Sequence, residues 1–136
     1  MGIGSVTTRA IINPRSSVYG YEFYWKTNSN GALYCDLSDA DGNPIRFVGE
    51  VVQYIFSPDH DYEPNDGYGL VLTGCDGSQD LFYGTADNLS ANFAQRAVPN
   101  VNGRPLFLNE YMKLGGKAGN TIGPERAAWF WIYMKT

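Results

Sequence analysis

Apolar residues in this chain come in short runs that alternate with polar ones, and most runs end at a cluster of Gly, Pro, Asn, Asp or Ser. That pattern predicts strands joined by tight turns. Val6–Ile12 is an apolar-rich run closed by Asn13-Pro14-Arg15-Ser16-Ser17, which has turn chemistry. Val18–Thr27 is the clearest strand, and Asn28-Ser29-Asn30-Gly31 predicts a reversal into Ala32–Leu37 as an antiparallel hairpin. Beyond a turn over 39–44, Ile45–Phe56 keeps a mainly alternating pattern, with Gly49 as the site of a bulge or bend. The long acidic loop 57–67 leads to Tyr68–Thr73, a turn at Cys75-Asp76-Gly77-Ser78, and Leu81–Tyr83, predicted as a further hairpin. Leu106–Leu108 and Tyr111–Leu114 read as a meander of short strands around Asn109-Glu110, and the Gly-rich loop 115–124 precedes a final strand, Ala127–Met134. One stretch, Thr85–Arg96, favours a short helix, with Thr85 as cap and Leu89 and Phe93 spaced i, i+4.

Seven to nine short strands with at most one short helix place the chain in the all-β class, as a single-domain antiparallel β-sandwich or jelly-roll-like barrel. Its 136 residues suffice for one domain with its own core, expected over 6–136 behind a flexible N-terminal arm, 1–5. Trp129–Met134 is apolar on both faces, and Tyr19–Trp25 comes close to that. A sandwich strand buries one face and wets the other, so the second face needs a cover, either a loop or a neighbouring subunit. The candidate interface residues are therefore Tyr19, Tyr21, Trp25, Trp129, Trp131 and Tyr133, with the flanking cations Arg9 and Arg15.

Charge adds a direction. Residues 36–87 hold 11 Asp/Glu and one basic residue, Arg46, whereas the first 35 residues carry +2 and residues 88–136 carry +4. A net charge of −4 argues against nucleic-acid binding through phosphate contacts. No apolar stretch reaches membrane-spanning length, so no membrane partner is expected. The start, Met1–Val6, lacks a basic and then apolar leader and is expected to direct no export, and Val6 breaks the myristoylation pattern. Cys35 and Cys75 are accordingly expected to be reduced.

The search for catalytic chemistry yields little. His60, the single histidine, sits between Asp59 and Asp61 in the acidic loop and reads as a surface residue rather than a general base. Asp39-x-Asp41-x-Asn43 with Glu50 loosely follows a calcium loop, but Pro44 occupies the position that must be Gly, so a hairpin turn is expected. The carboxylates Asp59, Asp61, Glu63 and Asp66 read as a solvated run, with cation binding as the alternative. Gly115–Thr121 fails the phosphate-loop spacing, and Asn88-Leu89-Ser90 matches a glycosylation sequon by chance if nothing is exported. No enzyme activity, metal or cofactor is expected.

The order of features resembles small virion proteins of tailed bacteriophages. It consists of Val6-Thr7-Thr8-Arg9 with Asn13-Pro14, an aromatic strand ending Phe23-Tyr24-Trp25, then Phe56-Ser57-Pro58-Asp59 and Tyr68–Thr73 with Gly74-Cys75-Asp76-Gly77. The resemblance implies a β-sandwich structural component of the particle, a capsid cement or decoration protein. Its expected partners are the major capsid protein or other virion subunits and further copies of itself, and its place is the virion, assembled in the bacterial cytoplasm. A head–tail or tail component is the nearest alternative. A carbohydrate-binding sandwich, with exposed Tyr and Trp rings stacking on sugars, is the alternative from another class. A weaker third reading is a small hydrolase using loop carboxylates.

Overall fold

The computed structural model describes residues 2–12, 17–74 and 79–136. Arg15 and Cys75, with the turns expected at 13–16 and 75–78, lie outside the described residues. Among the described residues there are eight strands: β1 (Ser5–Ile12), β2 (Val18–Lys26), β3 (Tyr34–Asp36), β4 (Arg46–Pro58), β5 (Leu70–Gly74), β6 (Gln95–Ala97), β7 (Phe107–Gly116) and β8 (Ala127–Lys135). They form one antiparallel sheet in the order β1-β2-β8-β4-β7-β3, with β5 added to β7 and β6 to β4. The all-β, antiparallel class is as the turn-rich pattern predicts, and the sheet curls strongly into a half-barrel.

The pairing of the clear strands is less local than the turn signals suggest. β2 pairs with β1 along Ser5↔Lys26 to Ile12↔Tyr19, and on its other edge with β8 along its whole length. It does not pair with β3, so the hairpin expected between Val18–Thr27 and Ala32–Leu37 is not formed. Asn28 instead folds its own loop, its side-chain oxygen accepting from the amides of Asn30 (3.0 Å) and Ala32 (2.9 Å). Its place between β2 and β4 makes β8 a central strand, which accounts for its high apolar content.

β4 changes partners and faces. Residues 46–50 pair with β7, and 50–58 pair with β8. The bulge lies between Val51 and Gln53 rather than at Gly49, and across it the buried parity passes from Phe47 and Val51 to Tyr54 and Phe56. Gly49 instead permits a close approach of two backbones, for at φ +130° it passes so near Lys135 that a Cβ would strike the Lys135 carbonyl. β7 is one continuous strand, not the two-strand meander expected from Leu106–Leu108 and Tyr111–Leu114. Its first half lies on β4 and its second half between β5 and β3, so it carries the sheet around the corner.

The Thr85–Arg96 helix is absent; the segment is a series of turns ending in β6. Asp80 organises the approach, its carboxylate accepting from the amides of Leu72 (3.2 Å), Phe82 (3.0 Å) and Gly84 (3.3 Å). Thr85 does not cap: its hydroxyl donates backwards to the Phe82 carbonyl at 2.7 Å. Leu89 is buried while Phe93 is 63% exposed, so the i, i+4 pair does not share a face. Side chains that bond nearby backbone compete with helix, and here they win. Leu81–Tyr83, expected as a strand, is likewise a turn, linked to β5 through the Leu81 amide and the Leu72 carbonyl.

The concave side of the sheet holds the core. Phe23, Phe47, Tyr54, Phe56, Phe82 and Phe130 touch one another in stacked, tilted and edge-on pairs at centroid separations of 4.9–6.3 Å. Such geometry adds to the area these rings bury. The curl brings the two edges of the sheet, near β1 and β3, toward each other. Residues 2–4, expected to belong to an arm, run beside β3, where Ile3 and Tyr34 exchange two backbone hydrogen bonds of 2.8 Å. The Thr8 hydroxyl donates to the Ser38 carbonyl at 2.6 Å, and a groove of about 670 Å³ lies along this seam.

Candidate functional site: the outer face of the sheet

Strand alternation sends odd residues of β8 outward and even ones inward. Ala128, Phe130, Ile132 and Met134 are fully buried, whereas Trp129, Trp131 and Tyr133 are half-exposed on the convex side. Register aligns them with neighbours in rows that cross the sheet. One row runs Arg9–Glu22–Trp131–Ile55–Arg96 over β1, β2, β8, β4 and β6. A second runs Thr7–Tyr24–Trp129–Ser57, and a third Ile11–Gly20–Tyr133–Gln53.

Polar groups hold these rings in place. The Glu22 carboxylate accepts from the Trp131 indole N–H at 3.0 Å and from Arg9 through Nη2 (2.9 Å) and Nε (3.3 Å). A fork of this kind fixes the guanidinium plane, although the exposed ion pair adds little stability. Trp131 and Trp129 stack with planes 23° apart, and Trp129 meets Tyr24 at 5.0 Å. The Tyr24 hydroxyl donates to Asp59 at 2.6 Å, and burial together with this bond pushes the phenol up to about 12. Gly20 makes room for Tyr133, since a Cβ there would come within 2.9 Å of the ring. At the acidic-loop end, the Lys26 ammonium lies 4.5 Å from the centroid of the Tyr62 ring.

The structure therefore divides the candidate interface residues. Trp129, Trp131, Tyr133 and Arg9 share the outer face. Tyr19 and Tyr21 pack on the core from the inward side of β2, the Tyr19 hydroxyl reaching the Val48 carbonyl at 2.6 Å. Trp25 is wholly buried against Tyr68, and its indole N–H has no hydrogen-bond partner among the described residues. Arg15 lies outside the described residues. Glu22, Tyr24, Asp59 and Arg96 belong to the site and were missed. The signal for two of them was present: Glu22, the one charge inside the aromatic run, marks the even, outward parity of β2, and Tyr24 shares it.

The other sequence features separate in space. Asp39 closes its own turn, accepting from the amides of Asp41 (3.0 Å) and Asn43 (2.9 Å), while Glu50 sits on β4 opposite Lys135. Of the acidic loop, Asp59 faces Tyr24, whereas Asp66 accepts from the Ala91 amide at 3.0 Å. Among the described residues, no three His, Cys, Asp or Glu side chains are grouped to hold a metal ion. His60 is exposed, and Lys117 of the Gly-rich loop pairs with Asp87 at 2.7 Å.

A second exposed strip lies on the outer side of β4, β7 and β3. Arg46 sits over Tyr111 at 5.4 Å and Lys113 over Tyr34 at 5.1 Å, beside exposed Val48 and Phe107.

Compared with protein-family models, curated proteins and solved structures, the chain matches none.

Proposed function

We propose that this chain is a non-catalytic structural subunit of a tailed-bacteriophage particle, a cement or decoration protein that binds the major capsid lattice or another virion subunit. It docks through the outer face of β1, β2, β8, β4 and β6. The observation that carries the reading is the row Arg9–Glu22–Trp131, continued by Trp129 and Tyr24, in which Trp131 and Tyr24 are fixed by hydrogen bonds and Trp129 by ring contacts with both before any partner arrives. Aromatic and arginine side chains in desolvated pockets dominate binding energy at protein interfaces, and rings held in advance lose less freedom on docking. Arg96 and Lys26 border this face and set orientation and salt dependence more than affinity. Copies of the chain meet on the particle through the β4–β7–β3 strip, where Phe107 and Val48 stand out from paired cations.

The test is sedimentation of the purified chain with candidate shells and with detached head–tail and tail components. Binding to shells supports the cement assignment, and binding to a connector or tail component moves the chain to that part of the virion. A chain that binds no virion component at any ionic strength overturns the reading.

A further inference from the structure

Away from the outer face, two turns form a shallow hollow of about 350 Å³, with Asp66 on one side and Asn88, Ser90, Asn92, Phe93 and Gln95 on the other. Its walls are fastened from within. Asp66 Oδ1 accepts from the Ala91 amide at 3.0 Å, Gln95 Oε1 from the Ser90 amide at 2.5 Å, and Ser90 Oγ from the Asn92 amide at 3.0 Å. The two segments are also laced by backbone, Gly67 N–H to the Leu89 carbonyl at 2.9 Å and Leu89 N–H to the Tyr68 carbonyl at 2.7 Å. Each of the side-chain bonds uses one atom of a group that has more to offer. Among the described residues, the second carboxylate oxygen of Asp66, the amide groups of Asn88 and Asn92, the amide nitrogen of Gln95 and the hydroxyl hydrogen of Ser90 have no protein partner. Phe93 stands at the rim, 63% exposed.

We infer that this hollow binds a neutral pyranose sugar. The lining chemistry selects the ligand class by elimination. An anion would meet the Asp66 carboxylate and no lysine or arginine on the wall. A divalent cation would find a single carboxylate, one negative charge against two, with only neutral oxygens beside it. An apolar ligand would strip water from the five polar side chains and repay none of them. A sugar hydroxyl both donates and accepts, which matches a wall offering carboxylate oxygen, amide N–H and hydroxyl together. The apolar C–H face of the ring then lies on Phe93, which the fold otherwise leaves without cover. Most small-ligand pockets are apolar with a few polar groups, whereas five of the side chains lining this hollow are polar, the make-up a hydroxyl-rich ligand requires, and its volume is at the small end of their size range.

The site is independent of the outer face, so shell binding can fail while this inference stands. The test titrates glucose, galactose, mannose and N-acetylglucosamine into the ¹⁵N-labelled chain, and separately applies the chain to a glycan array. Saturable amide shifts are expected in 66–67 and 88–95 for at least one sugar. Phe93→Ala, an exposed substitution, and Asp66→Asn, which keeps the acceptor for Ala91, should each weaken binding by about tenfold or more, a loss of ~1.4 kcal/mol. Trp131→Ala should leave binding unchanged. The inference is overturned if none of the sugars and no arrayed glycan binds. It is equally overturned if binding survives Phe93→Ala and is lost in Trp131→Ala, because the outer rings would then be the sugar platform.

Discussion

The two sides of strand β8 are both aromatic and apolar, and they are held in different ways. On the inner side, Phe130 is fully buried and enclosed by the rings of Phe23, Tyr54, Phe56 and Phe82. On the outer side, Trp131 is positioned by a carboxylate, Tyr24 by another, and Tyr133 by the space over a glycine. Inner rings are ordered by close packing, which is what folding stabilises. Outer rings are ordered by polar clamps while part of their surface stays in water, the state the proposed docking calls for. Aromatic density alone therefore does not separate core rings from outer-face rings; the groups that hold each ring do.

The largest expected effect comes from breaking the inner side. Phe130→Ala should cost ~3–5 kcal/mol in urea unfolding, because the four surrounding rings lose a shared neighbour and the cavity cannot close. Trp131→Ala on the same strand should cost under ~1.5 kcal/mol, since only part of its surface is buried in the free chain. Equal losses would erase the distinction between the two sides.

Trp25 sharpens it further. Trp25→Ala should cost ~3–5 kcal/mol, as for other buried aromatics. Trp25→Phe should cost under ~1.5 kcal/mol, because the loss of ring area is offset by removing an indole N–H that is buried without a partner. A Trp25→Phe loss as large as that of Trp25→Ala would mean that the N–H is satisfied.

A smaller effect is expected at high pH. Burial raises the phenols of Tyr54 and Tyr68, and burial with the Asp59 bond pushes Tyr24 up to about 12. The folded chain then keeps protons that the unfolded chain releases near pH ~10. Stability is full below that pH and falls as pH rises through the folded-state values. Urea titrations at pH 8, 10 and 11 should show the decline begin near pH ~10, and Tyr24→Phe should make it shallower. A decline beginning near neutrality would point to other groups.

The smallest effect concerns Cys35, a buried free thiol whose pKa burial raises. Thiol reagent at pH 8 should modify it only on the timescale of unfolding. Fast modification in the folded state would show that the seam between β1 and β3 opens.

Alternation and turn chemistry made the class and the two aromatic strands legible, since both are local properties of the chain. Strand partners were not. The Asn28–Gly31 turn suggested a hairpin, but β2 gains more by pairing with β8, more than a hundred residues away, than with the three-residue β3. The helical spacing of Leu89 and Phe93 was overridden by Asp80 and Thr85, whose bonds to nearby backbone fix turns. At the candidate site, Trp129, Trp131 and Tyr133 were readable from β8 itself. Tyr19, Tyr21 and Trp25 belong to an equally aromatic run, but its alternation about Glu22 assigns them to the inner side. Asp59 was legible only as a charge in a loop, because its contact with Tyr24 depends on the fold.

The most direct measurement is the affinity of candidate phage shells for the wild-type chain and for Trp131→Ala, each first shown to be folded by near-UV circular dichroism and urea midpoint. The expected result is that wild-type sediments with the shells and that Trp131→Ala binds at least ~30-fold more weakly, as the loss of a central aromatic anchor of ~2 kcal/mol requires. Undiminished shell binding by folded Trp131→Ala would contradict the assignment of the outer face as the docking surface.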